Sequence, residues 1–172
     1  VSVWTRPSTT RIDWSPQSRF GSGPGSANNQ FDTPSGVVAS PDGLTAWVAD
    51  SVNRRVSIWS RPNRTSLWTS VTTFGSNGSA PNQFSLPRGV AVSADTLTAW
   101  VSDVNNGRIA IWSRPNPGST TWTPVSMFGT QGSGPSNLHF PQGIAISGDG
   151  LTVVSADSFN NRIAVWTLSC PA

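Results

Sequence analysis

Short apolar runs alternate along this chain with stretches rich in Gly, Ser and Asn, and the runs fall into groups that read as strands. Gly36 to Ser40, Gly89 to Ser93 and Gly143 to Ser147 read as buried first strands. Tight turns centred on Pro41-Asp42-Gly43, Ala94-Asp95-Thr96 and Gly148-Asp149-Gly150 lead to the second strands LTAWVAD, LTAWVSD and LTVVSAD, each ended by an aspartate. RRVSIW, GRIAIW and NRIAVW follow, alternating apolar with polar as a third strand with two unlike faces does. An Arg-Pro cap stops copies of that strand at Arg6, Arg61 and Arg114. The fourth strand is LWTSVTTFG at 67–75, matched by RIDWSPQSRFG near the start.

These groups are one repeat. Gly36, Gly89 and Gly143 each precede an aspartate by fourteen residues, and each aspartate opens Asp-x-x-Asn-x-Arg: Asp50, Asn53, Arg55; Asp103, Asn106, Arg108; Asp157, Asn160, Arg162. The period is 53 to 55 residues, with units over about 34–74, 87–128 and 141–167. Trp59, Trp112 and Trp166 recur on the third strand, with Trp4 as a further copy, and Trp14, Trp68 and Trp122 recur ahead of Phe-Gly. Four antiparallel strands joined by hairpins, returning by a longer loop, make the blade of an all-β propeller. The G-V-A-V-S-x-D-G core, the V-A-D-S-x-N-N-R-V/I that follows it and the preceding Gln30-Phe31 to Pro34 and Gln83-Phe84 to Pro87 resemble the NHL repeat. The third copy departs from it at Leu138-His139-Phe140-Pro141. The resemblance implies a propeller, commonly of six blades.

Counted along the chain, the strands run third, fourth, then two full units, then first, second, third. The N-terminal segment 11–20 is therefore expected to supply the fourth strand of the last unit, with VSVWT at 1–5 left as a duplicate of Ile163 to Thr167. Three blades are too few to close, and an open arc would expose apolar flanks. The expectation is a homodimer, two arcs forming a six-bladed ring by strand exchange; the rivals are a piece of a longer propeller or another number of copies. No signal-like segment is read at the start, so Val1 would open a mature or a shortened chain.

Composition changes this picture little. All 11 basic residues are Arg and all 8 acidic ones Asp, with a formal net charge of +3, which lends a nucleic-acid reading little support. Helix-favouring Lys and Glu are missing, and no apolar run approaches the roughly 20 residues of a membrane helix. The single Cys170 can form no internal disulfide. Sequons at Asn63 and Asn77 matter only if a eukaryote secretes the chain, and an extracellular setting is mildly favoured.

The candidate chemistry is thin. The Asp-x-x-Asn-x-Arg corner could stitch a hairpin, Asp accepting turn amides, Asn taking the left-handed turn position and Arg pairing with Asp; or the aspartates could ring a divalent cation such as calcium. Its recurrence in every unit favours the structural role, and no metal or other cofactor is expected. His139, the only histidine, has no second nitrogen or thiolate ligand nearby and no nucleophile specified for it. No catalytic residue is assigned. The favoured site is a face: the long Gly/Ser/Asn loops with Arg54, Arg88, His139 and Gln142, where the repeats differ from one another. The expected function is a non-catalytic scaffold that binds itself and a protein, peptide or glycan. Metal-dependent lyase or lactonase-like chemistry is the alternative, and an RNA-binding NHL module the third.

Overall fold

A computed structural model describes residues 2–5 and 15–168 of the chain. Arg6, Trp14 and Cys170, and the Arg11–Trp14 part of the expected exchange strand, lie outside the described residues. The strands are β1 (Ser2–Thr5), β2 (Ser15–Arg19), β3 (Pro34–Ala39), β4 (Thr45–Asp50), β5 (Arg55–Ser60), β6 (Thr69–Phe74), β7 (Pro87–Val92), β8 (Thr98–Asp103), β9 (Arg108–Ser113), β10 (Thr123–Phe128), β11 (Thr130–Gln131), β12 (Asn137–Leu138), β13 (Pro141–Ile146), β14 (Thr152–Asp157) and β15 (Arg162–Thr167). The described residues are all-β apart from two single 3-10 turns at Val104–Asn106 and Ser158–Asn160, which the sequence reading did not anticipate.

Strands β3 to β6 and β7 to β10 form two four-stranded antiparallel sheets in meander order, and β13 to β15 form a third of three strands. The first strands β3, β7 and β13 lie side by side, so the sheets are blades set around a common inner edge. Each first strand pairs with its second through the same irregularity, at Ser35-Gly36, Arg88-Gly89 and Gln142-Gly143. The glycine is required where a blade follows. A Cβ on Gly36 would lie 2.2 Å from the Arg88 carbonyl oxygen, a spacing that only a residue without a side chain permits.

Aromatic side chains fill the gaps between blades. Trp112 packs against Phe74 and Phe84 from the preceding fourth strand and the loop after it, as Trp59 packs against Phe20 and Phe31. Trp68 and Trp122 turn inward, under the guanidinium groups of Arg61 and Arg114, rather than offering their rings to solvent. Those two arginines also donate to the turn carbonyls of Gly43 and Thr96, closing the face that carries the first-to-second-strand turns. A 240 Å³ hollow lies there, lined in part by Ser40, Ser93 and Ser147, whose hydroxyls are all committed to Asp42, Asp95 and Asp149.

One expectation needs correction, and one pairing belongs to the single chain. In the single chain β2 pairs with β1, with the bulge beside Trp4 falling where β5 and β6 have theirs beside Trp59. The two strands are thus the outer half of a blade preceding β3–β6, and no fourth strand lies beside β15 among the described residues. Phe20, at the end of β2, is anchored on Trp59 and Trp68, at the opposite end of the arc from β15 of the same chain. The first strands are also not uniformly buried. Val37 on β3 is 51% exposed where its equivalent Val90 is 6% exposed, because no inner strands precede β3.

Candidate binding face

The long loops and the Asp-x-x-Asn-x-Arg corners lie on one side of the blades and are tied to each other there. The Asp103 carboxylate, fully buried, accepts the Ser85 backbone N–H at 2.6 Å on Oδ1, and Asn106 Nδ2 (2.7 Å) and Arg108 Nε (3.0 Å) on Oδ2. Arg108 also donates to the carbonyls of Ser79, Ala80 and Gln83, so one guanidinium holds the whole loop that leads into its blade. The first and third corners repeat this, with Asp50, Asn53 and Arg55, and with Asp157, Asn160 and Arg162. The left-handed residue is not the asparagine. It is the next one, Arg54, Gly107 or Asn161, with φ of 54°, 59° and 52°.

With the same three bonds, two of the carboxyls are shifted in opposite directions. Burial, the largest influence, raises the Asp103 carboxyl above its ordinary value. Burial acts the same way on Asp157, but Asn160, the His139 amide and Arg162 together outweigh it and lower that carboxyl. The second corner is covered by the blade that follows it, whereas Arg162 in the third stays a third exposed. All the acceptor oxygens on these aspartates are turned to protein donors, and no group of three or more His, Cys, Asp or Glu suited to a metal occurs among the described residues.

The residues singled out on this face divide. Arg88 and Gln142 occupy the bulges that open β7 and β13, and Arg88 Nη1 donates to Gln142 Oε1 at 3.4 Å. Ser35, at the same position in the first unit, instead donates to the Arg88 carbonyl. Arg54 is carried by the corner of the first blade. His139 stands beside two residues that the sequence reading did not select, Phe140 and Phe159. These two rings stack with centroids 4.2 Å apart and planes 12° apart. Backbone bonds from Phe159 N–H to the His139 carbonyl and from Ser158 N–H to the Phe140 carbonyl hold the pair together. The available signal was the loss of repeat identity: Phe159 stands where the sister units have Val52 and Asn105.

Residues 84–112 match the NHL repeat. That segment carries one match to the NHL repeat, and the blades around it have the β-propeller fold. Its blades superpose on a protein from Lactobacillus plantarum with a TM-score of 0.68 at 15% identity, covering 98% of this chain and 45% of that one. Pseudomonas aeruginosa periplasmic gluconolactonase gives 0.61 at 17% identity, over 79% of this chain and 36% of that one. The Swd1 β-propeller domain of Myceliophteria thermophila gives 0.58 at 18%, over 77% and 39%. This chain spans less than half the length of each of these structures, and at such identity the likeness carries the fold alone. No curated protein sequence matches the chain.

Proposed function

We propose that this chain is a non-catalytic NHL-type scaffold. Two arcs join head to tail into a six-bladed ring, and the ring presents the face bearing Arg54, Arg88, His139 and Gln142 to a protein, peptide or glycan. The observation that supports assembly most is the trailing side of the third blade. Ile163 and Val165 are 66% and 61% exposed there, while Val56 and Ile109, the equivalents of Ile163, are fully buried against a following blade. At about 25 cal/mol per Å² of apolar surface, covering two such side chains favours association, and leaving them wet invites aggregation. What would cover them has a counterpart at the other end of the arc, where Val37 lies bare on β3.

The partner is a second copy, since the two open flanks carry the same residues that already meet inside the arc. In such a ring the partner's β15 takes the place of β1 beside β2. The sequence suits this exchange, Val165-Trp166-Thr167 repeating Val3-Trp4-Thr5. Size-exclusion chromatography with light scattering tests it: the expected mass is twice the 18.2 kDa of one chain, falling to one chain in V165D. A folded wild-type monomer at every concentration would remove the proposal.

A metal-dependent lactonase or lyase is the second reading, since the Pseudomonas aeruginosa gluconolactonase is an instance of that activity on this fold. It requires a rise in melting temperature with calcium, and calcium-dependent lactone hydrolysis by the assembled protein.

A further inference from the structure

The stacked phenylalanines on the third blade are exposed for a different reason from Ile163 and Val165. Phe159 is 58% exposed, but so is Val52 at 43% in the first unit, which does have a blade after it. Position 159 therefore faces outward whether or not a neighbour is present, and covering the flanks would leave its ring in water. The ring is also held still. One side lies on Phe140, and His139 meets it edge-on at 5.1 Å.

Phe140 sits at a costly backbone position, with φ of 56° in the left-handed region, where a bulky residue is a true outlier. Thr33 and Leu86 hold the same conformation in the sister units, so the fold imposes it on any residue. Phenylalanine there is thus a choice of side chain, and what that side chain does is support Phe159. Two residues on, about 7 Å along an extended strand, stands Gln142, which receives only a long bond from Arg88. Arg55, Arg108 and Arg162 on this face are each paired with a carboxylate. Among the described residues no carboxylate pairs with Arg88, which is exposed and gives one long bond to Gln142 from its five N–H donors.

A flat, solvent-facing ring stacked on Phe140, two residues along the strand from a planar amide that itself meets a guanidinium without a carboxylate partner, matches a pyranose that bears a carboxylate. We infer that the third blade binds an acidic sugar, of the uronate class: the sugar's C–H face lies on Phe159, its carboxylate takes the Arg88 fork, and Gln142 reads a hydroxyl. The aromatic face is electron-rich and attracts the weakly positive C–H hydrogens of the sugar, while guanidinium matches carboxylate two bonds at a time. A peptide carboxylate would use Arg88 equally well but would leave the broad ring without a flat counterpart. This inference rests on the reading of this side as the binding face.

The test is titration of isotope-labelled protein with galacturonic acid trisaccharide, with maltotriose as the neutral comparison, in wild type, F159N and R88S. Both substitutions install the residue found at that position in a sister unit, so folding is expected to survive, and a wild-type far-ultraviolet spectrum checks it. Amide shifts are expected at 139–142 and 159, with at least tenfold weaker uronate binding in F159N and no remaining preference for the charged sugar in R88S. Shifts that are absent or map elsewhere would overturn the inference. A peptide ligand lost in F159N while the uronate is inert would overturn the sugar and keep the face. Uronate binding undisturbed by both substitutions would overturn the two together.

Discussion

The α-carbon of Gly89 lies beneath the carbonyl of Gln142 on the next blade, so close that an added methyl would stand 2.3 Å from the oxygen. Gly143 occupies the same position one unit later and meets nothing nearer than the Ala156 methyl at 3.9 Å. Gly89→Ala must push two inner strands apart and is expected to cost about 2–3 kcal/mol, typical of overpacking. Gly143→Ala should change the stability of a lone chain by under about 0.5 kcal/mol, yet lower the dimer fraction wherever a second arc abuts it. Urea unfolding reads the first effect and light scattering the second. Unchanged assembly in Gly143→Ala would mean that no inner strand ever approaches that flank.

Arg54 takes a left-handed conformation that its equivalents Gly107 and Asn161 tolerate more easily. A side chain with a Cβ costs roughly 1–2 kcal/mol there, part of which glycine returns through its larger unfolded-state entropy. Arg54→Gly is therefore expected to raise stability by about 0.5–1 kcal/mol, visible as a higher thermal midpoint. The reverse exchange, Gly107→Arg, should be strongly unfavourable, since a Cβ there would come within 2.8 Å of the Gln131 backbone nitrogen.

The three corner arginines make equivalent bonds in unequal surroundings. Arg108 is 8% exposed and Arg162 34%, each facing a carboxylate with no exposure. Removing Arg108 strands a buried charge and unpins the loop carbonyls of Ser79, Ala80 and Gln83, so Arg108→Ala should cost about 3–5 kcal/mol. Arg162→Ala should cost clearly less, because water reaches that site. Equal losses in chemical denaturation would contradict the view that desolvation sets the difference.

The blades were legible from residues because the repeat states each strand more than once. Gly36, Asp50 and Trp59 recur at one spacing, and alternation assigns their strands. The bareness of Val37 was not legible, since burial depends on a neighbour beyond the repeat itself. The pairing of β2 with β1 was hidden for a related reason: Val3-Trp4-Thr5 and Val165-Trp166-Thr167 are interchangeable as sequence, and only the position of Phe20 in space decides between them within one chain. On the long-loop face, Arg88 and Gln142 stand out in the sequence by their divergence between units. Phe159 diverges as plainly, but an apolar residue in an apolar repeat passes for core until its exposure is seen.

Acid should weaken the fold through the turns opposite the long-loop face. The carboxyls of Asp42, Asp95 and Asp149 are held below their ordinary value of 3.8, first by hydroxyl bonds from Ser40, Ser93 and Ser147 and then by the amides of Leu44, Leu97 and Leu151. In the folded chain these groups bind protons less readily than in the unfolded one. The stability they confer is complete above pH 3.8 and drains away as the pH falls through their lowered folded values. Asp103, raised by burial, works in the opposite sense and takes up its proton first in the folded state. Four lowered carboxyls, with Asp157 among them, oppose that one, so the melting temperature is expected to be flat near neutral pH and to drop below about pH 4. Replacing Ser40, Ser93 and Ser147 by alanine removes the leading cause of the shift in three of them and should flatten that acid limb. An identical limb in the triple variant would place the acid sensitivity elsewhere in the molecule.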